Sequence, residues 1–164
     1  MRWTILAASV SIALTGLSAF AAEPTPPLFT SWPSGEQLND WIDQYIDEGG
    51  WAFIDAGDDS AAFLATSGKD RSTYPLLNGW IRWERFLETP KRPARSELWQ
   101  VEVNCKDRTQ KTLQTKYFAS NNTMGEVVRS WTAPSYTAPR NVRTGSMAEA
   151  ILDAICSAPD GGEI

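Results

Sequence analysis

The sequence of 164 residues predicts an α+β domain with an antiparallel sheet of about six strands. Two observations predict this class. Amphipathic stretches of helical period lie near both ends of the chain, and the segments between them alternate apolar and polar residues with a period of two. These segments follow one another too closely for crossover helices, which favours antiparallel over parallel neighbours.

Residues 1–22 are predicted to be a cleaved signal peptide. Arg2 supplies a basic start, an uncharged apolar run extends over residues 5–17, and Ala19-Phe20-Ala21 has the small residues that signal peptidase needs. The run is shorter than the roughly 20 apolar residues of a membrane-spanning helix. We therefore expect a secreted or periplasmic protein without a membrane span. Removal of Arg2 with this segment would change the net charge from −5 to −6.

Residues 23–33 are rich in proline and lack periodicity, which is typical of a flexible leader. A single domain is predicted over residues 34–157, and it begins with a helix over residues 35–48 because Ser34 and Gln37 match the capping-box pattern. The helix has one apolar stripe at helical spacing, formed by Leu38, Trp41, Ile42, Tyr45 and Ile46. This spacing predicts a face that packs on the core rather than a platform for a ligand.

Short strands are predicted after residue 50, where the hydrophobic period changes to two. The ranges expected to be strands are 51–56, 60–67, 80–87, 97–105, 111–119 and 126–132. The alternation is clearest in 97–105, which places Trp99, Val101, Val103 and Cys105 on one face.

The last helix is predicted to begin after Ser146, where a second capping box with Glu149 precedes an apolar stripe that ends near Cys156. Residues 158–164 follow as a tail. Because two cysteines in an oxidising compartment usually pair, we expect a disulfide between Cys105 and Cys156. The bond would hold the last helix on the apolar face of the strand that contains Val101.

The composition excludes several classes of enzyme. The chain contains no histidine, which removes Ser-His-Asp and Cys-His catalysis and histidine-ligated zinc. Its two cysteines cannot form a four-thiolate site. Asp55, Asp58 and Asp59 cluster in a turn, but their spacing does not match an EF-hand loop. We therefore expect a protein that is not an enzyme and has neither cofactor nor metal.

Charge is distributed unevenly along the chain. Residues 23–59 contain nine acids and no lysine or arginine, whereas residues 69–143 contain fourteen lysines and arginines and seven acids. A basic patch for polyanions or acidic protein surfaces is one interpretation, and a solvated, charge-balanced face is the other. The candidate partner-binding residues are Arg92, Arg95, Lys106, Arg108, Lys111 and, as a candidate exposed ring, Trp80. The net negative charge argues against a nucleic-acid partner.

Several elements in residues 51–157, most clearly after residue 96, resemble the surface-adhesin protein E family of small secreted bacterial proteins. The resemblance rests on Ser96, the strand ELWQVEVNC, the basic segment 106–108, Gly125 and the helix that ends at Cys156. Asn104 departs from the aspartate that usually precedes the cysteine, and the helix predicted at 35–48 has no counterpart in the family pattern.

The resemblance implies a non-enzymatic binding module outside the cytoplasm, associated with the cell surface, with a protein or glycan partner at the cell envelope. Some members of the family resemble adhesins that bind host matrix proteins and dimerise, so a homodimer is a further expectation. Two alternatives stay open. One is a histidine-free hydrolase of cell-wall glycans that uses two carboxylates. The other is a structural or inhibitory envelope protein with one dedicated partner, which a large exposed apolar patch would favour.

Overall fold

The computed structural model describes residues 25–67, 71–89 and 92–157, and it has the predicted α+β fold. The predicted signal peptide and the predicted tail lie outside the described residues. Helix α1 spans Gly35–Tyr45 and helix α2 spans Met147–Ser157. Between them lie β1 (Trp51–Gly57), β2 (Ser60–Ala65), β3 (Leu76–Arg85), β4 (Ser96–Asn104), β5 (Thr109–Phe118), β6 (Val127–Thr132) and β7 (Arg140–Asn141). No described helix is long and apolar enough to cross a membrane.

The strands form one antiparallel sheet in the order β1-β2-β3-β4-β5-β6, with the short β7 paired to β5. Strands β1 to β6 therefore pair with their neighbours in sequence, which agrees with the antiparallel order predicted from the short connections. β3 begins at Leu76, four residues before the predicted start, and β7 lies in a segment predicted to be a link.

The two helices pack on opposite faces of the sheet. Residues of α2 form a buried cluster with β2, β3 and β4 that includes Ala62, Ile81 and Val101. Residues of α1 form a second cluster that includes Ala61 and Phe86. Because side chains alternate along a strand, neighbouring residues of β2 lie on opposite faces, and the sheet is sandwiched between one helix on each side.

A disulfide joins Cys105 and Cys156, as predicted, with 5.8 Å between the two Cα atoms. Val103 is fully buried in the α2 cluster, and Trp99 and Cys105 pack against it. The prediction that the last helix is held on the apolar face of β4 is confirmed.

The capping box of α1 is present in both directions. The Gln37 backbone N–H donates to Ser34 Oγ at 3.2 Å, and the Ser34 backbone N–H donates to Gln37 Oε1 at 2.8 Å. At α2 the Glu149 backbone N–H donates to Ser146 Oγ at 3.3 Å, but the Glu149 carboxylate accepts from the backbone of Gly145 at 2.7 Å. The second box therefore closes one residue earlier than the sequence pattern predicts.

The described part of the predicted flexible leader contacts the domain. Phe29 forms a parallel bridge with Leu87, and its backbone N–H donates to Phe86 O at 2.8 Å. Trp41 Nε1 donates to Pro27 O at 2.8 Å. These contacts place residues 25–33 beside α1. They could not be predicted from the composition of the segment, because they are made by backbone groups and by one indole N–H.

A buried ionic network lies between α1, the sheet and the turn after β5. Glu84 is fully buried and pairs with Arg82, with 3.2 Å between Oε1 and Nε. Its carboxylate also accepts from Asn121 Nδ2 at 3.0 Å and from the Asn122 backbone at 2.9 Å. Arg82 Nη2 donates to Asp47 O at 2.5 Å, so the network joins the segment after α1 to the sheet.

Stability is expected to depend on pH through Glu84. Burial raises the pKa of Glu84 to about 7 from its ordinary 4.5, although Arg82 and the bonds from Asn122 and Asn121 oppose the increase. Burial also raises the pKa of Glu97. Because the folded state holds the carboxyl proton more tightly than the unfolded state, the proton adds its full stabilisation below about pH 4.5. This stabilisation is lost as the pH increases through the pKa of the folded state.

Thermal unfolding followed by circular dichroism should therefore give a higher Tm at pH 5.5 than at pH 8. The chain has no histidine, whose ordinary titration would complicate this interval. In Glu84→Gln the difference in Tm between the two pH values should shrink, whatever the absolute Tm. If the difference in Tm between pH 5.5 and pH 8 equals that of the unmodified chain, Glu84 is not the source of the pH dependence.

Candidate functional site

The α2 face of the sheet is only partly covered. Helix α2 packs on β1, β2 and β3, and the same face continues past it over β5 and β6. All six residues of β6 are exposed, in contrast to the central strands. On this open part of the face, register positions that are buried under α2 elsewhere reach solvent.

The strand register places two rows of side chains across this open region. The first row follows Ile81, Trp99, Thr115 and Trp131, each paired with the next on the neighbouring strand. The second row follows Trp83, Glu97, Tyr117 and Arg129 in the same way. Since paired residues share a face, aromatic rings from four adjacent strands line one side of the sheet.

A groove of about 590 Å³ lies at the β6 end of these rows. We call it the arginine groove and define it by Trp99, Tyr117, Arg129, Trp131, Arg140 and Arg143. Strands β4, β5 and β6 supply its aromatic rings, and β7 with the link after it supplies two of its arginines. The start of α2 closes one end through Ala148.

The arginine groove is cationic and contains no acidic side chain among its lining residues. Arg129 lies over the Tyr117 ring at 5.7 Å, a cation–π contact that keeps its charge available. Within the described chain, no acid lies within ion-pair distance of Arg129, Arg140 or Arg143. The groove is therefore suited to a negatively charged ligand.

A second depression of about 560 Å³ adjoins the first and shares Trp99, Tyr117 and Arg129 with it. We call it the ion-pair groove and define it by Asp59, Trp83, Arg85, Arg92 and Glu97. Arg85 lies 3.7 Å from Asp59 and 3.9 Å from Glu97, and Arg92 lies 3.3 Å from Asp59. Its charges therefore neutralise one another, unlike those of the arginine groove.

Two of the carboxylates that line the ion-pair groove, Asp59 and Glu97, have shifted pKa values. Burial alone would raise the pKa of Asp59, but hydrogen bonds from Thr89 and Ser60 and the charges of Arg85 and Arg92 lower it overall. Burial raises the pKa of Glu97, partly offset by the bond from Trp99. Since both carboxylates are occupied by protein donors, the hydrolase alternative gains no support from this pair.

The structure separates the candidate residues chosen from sequence. Arg92 and Arg95 precede β4, whereas Lys106 and Arg108 follow its other end, roughly 30 Å away along the strand. Arg92 reaches the ion-pair groove with a side chain that is 59% exposed. Trp80 pairs with Gln100 on the α1 face and is half-buried.

Most of these cations already have protein partners. Arg108 bonds to Glu149 at 2.8 Å and to Asp153 at 2.9 Å. Lys111 lines the arginine groove but pairs with Glu102 at 2.8 Å, and Arg95 Nη1 donates to Pro26 O at 2.9 Å. Lys106 is exposed in the turn after β4. The structure therefore does not bring the predicted set together, and its role in binding stays a prediction.

The residues that sequence reasoning missed are Arg129, Arg140 and Arg143. A signal for them exists in the chain, because residues 127–148 contain these three arginines and no acid. That stretch includes the exposed β6 and the link to α2, which have no clear hydrophobic period. Only the pairing of β6 and β7 with β5 shows that its arginines face the aromatic rows.

Comparison with known proteins gives a family match. The sequence profile described as surface-adhesin protein E matches residues 68–157. No curated protein matches the chain. Crystal form II of Haemophilus influenzae protein E is 12% identical, with a TM-score of 0.49 over 84% of this chain and 97% of that chain. Protein E from non-typeable Haemophilus influenzae is also 12% identical, with a TM-score of 0.42 over 83% of each chain.

Proposed function

The chain belongs to the surface-adhesin protein E family, and we propose that it attaches to a macromolecular partner through the open part of its α2 face. The family indicates an adhesin-like, non-enzymatic protein that is associated with the cell surface. The signal peptide that would deliver it there stays a prediction, as does a homodimer.

One observation supports the proposed surface above all others. Trp131 is 41% exposed on the edge strand, and Arg129 beside it has no acidic partner among the described residues. Exposed tryptophan and arginine are the side chains most enriched at the centres of protein interfaces. The family match covers the complete arginine groove, so the proposed surface lies within the part of the chain that is shared with the family.

The α1 face is a weaker candidate for the attachment surface. α1 and the described leader cover that side of the sheet, and α1 itself lies before the residues matched by the family. Its exposed acids, including Asp40 and Asp43, belong to the part of the chain that contains no lysine or arginine. The α2 face is therefore the better site for a function common to the family.

Attachment is tested by binding of the purified chain to plates coated with cell-derived extracellular matrix. The double variant R129A/W131A should reduce attachment about tenfold or more, because it removes the exposed tryptophan ring and the cation beside it from the edge strand of the open face. Both residues are exposed, so the fold should be retained, as near-ultraviolet circular dichroism can verify.

The matched control is Lys116→Ala. Lys116 is an exposed cation on β5 whose register partner Leu98 lies on the opposite face from Trp99. Its loss should leave attachment within about twofold. Equal losses in the control and the double variant would indicate nonspecific charge and would refute the proposed surface.

A further inference from the structure

We infer that the arginine groove binds a linear sulfated polysaccharide, an inference that rests on the proposed function and names the chemistry of its partner. Such a chain combines regularly spaced anionic groups, sugar hydroxyls and weakly polar ring faces. The groove offers a matching group for each of these three features.

The anionic groups match the arginines. Arg129, Arg140 and Arg143 line the groove without an acidic partner in the described chain. A guanidinium donates two parallel hydrogen bonds to a sulfate or carboxylate and is weakly hydrated, so its desolvation on binding is less costly than that of lysine. Lys111 also lines the groove, but its ammonium group is held by Glu102 at 2.8 Å, so the match rests on the arginines.

The sugar rings and hydroxyls match the remaining lining residues. Trp99, Tyr117 and Trp131 supply flat surfaces on adjacent strands, on which sugar rings can stack. Neutral polar side chains complete the wall of the groove: Gln110, Thr112, Thr115, Thr137, Asn141 and Ser146. Gln110 Oε1 is buried without a hydrogen-bond donor among the described residues, and a hydroxyl is a donor that would satisfy such an acceptor.

The negative net charge of the protein does not prevent this. Electrostatic interactions at physiological ionic strength are screened over about 8 Å, and α1 with its acids packs on the other side of the sheet. Three acids on elements that adjoin the groove are already paired: Glu149 with Arg108, Glu102 with Lys111, and Glu97 with Arg85. The lining of the groove itself contains its arginines and no acid.

An acidic peptide fits these observations less well. A peptide would be expected to use the free backbone edge of β6, where its own backbone groups could pair. That edge lies in the plane of the sheet, whereas the arginines and rings lie on its face. Sugar hydroxyls can also hydrogen-bond to the neutral polar side chains that line the groove. The acidic side chains of a peptide would need only the arginines.

The test measures binding of the purified chain to a fluorescent heparin octasaccharide by anisotropy, in about 0.15 M salt. The expected result is saturable binding that weakens as salt is raised, and at least about tenfold weaker binding of unsulfated heparosan of equal length. R140A/R143A should bind heparin about tenfold or more weakly, W131A should also weaken binding, and Lys116→Ala should stay within about twofold.

Three results would overturn the inference. They are equal binding of heparin and heparosan, unchanged heparin binding by R140A/R143A, and poly-glutamate binding as tight as heparin with the same dependence on the arginines. If heparin does not bind while attachment to matrix still depends on Arg129 and Trp131, the sulfated-glycan inference is wrong and the proposed attachment surface is kept. If matrix attachment is independent of both residues, the proposed surface itself fails.

Discussion

Glu84→Ala is expected to lower the free energy of unfolding by about 3–5 kcal/mol, the usual cost of leaving a buried charge without its partner. The substitution removes the ion-pair partner of Arg82 and the hydrogen-bond acceptor of Asn121 and of the Asn122 backbone at once. Arg82 would remain almost fully buried beside the rings of Trp51 and Phe63. Urea unfolding followed by tryptophan fluorescence measures the change.

Glu88→Ala is the matched control, because Glu88 is an exposed acid on the same segment and should change stability by no more than about 0.5 kcal/mol. A second comparison uses R82A and the double variant R82A/E84A. Since the two groups neutralise each other, the double variant should lose less stability than the sum of the single variants. Additive losses, or a Glu84→Ala effect as small as that of Glu88→Ala, would show that the network contributes little.

Removal of the disulfide is expected to have an effect of similar size. The bond joins residues 51 positions apart, and loop-closure entropy predicts a loss of roughly 4 kcal/mol in the double variant C105S/C156S. The bond also ties the end of α2 to β4, and Ala148 at the start of α2 lines the arginine groove. Loosening the helix should therefore weaken attachment as well as stability.

The double serine variant avoids the free thiol that a single substitution would leave. Its urea midpoint should match that of the unmodified chain in reducing agent, and reducing agent should not shift the midpoint of the variant further. A midpoint unchanged by the double substitution would mean that the packing of Ile151, Leu152 and Ile155 alone holds α2 in place.

Much of the fold was predictable because local physical signals are strong in this chain. The capping box at Ser34, the helical stripe through Trp41 and the alternation of Trp99 with Val101 each identify an element and its buried face. The end of α1 was harder to predict: the expected helix over residues 35–48 ends at Tyr45, although its periodic pattern continues through Ile46. Ile46 is still buried in the α1 cluster, so hydrophobic contact continues after helical geometry ends.

The candidate site was not predictable to the same degree. Sequence reasoning selected cations by their local density, and this favoured Arg108 and Lys111, which the fold pairs with Glu149 of α2 and Glu102 of β4. Arg129 and Arg140 lie 11 residues apart in the sequence, and they reach the same groove through the pairing of β6 and β7 with β5. Charge pairing and strand register are tertiary properties, and neither is visible in a single stretch of chain.

The central claim is that the open part of the α2 face is the attachment surface, and hydroxyl-radical footprinting of the matrix-bound chain tests it most directly. Two exposed tryptophans report on the two sides: Trp131 in the arginine groove, and Trp32, 55% exposed, which contacts Phe86 on the α1 side. We predict that attachment lowers the oxidation rate of Trp131 and leaves that of Trp32 unchanged. Protection of Trp32 with Trp131 oxidised as fast as in the free chain would contradict the claim.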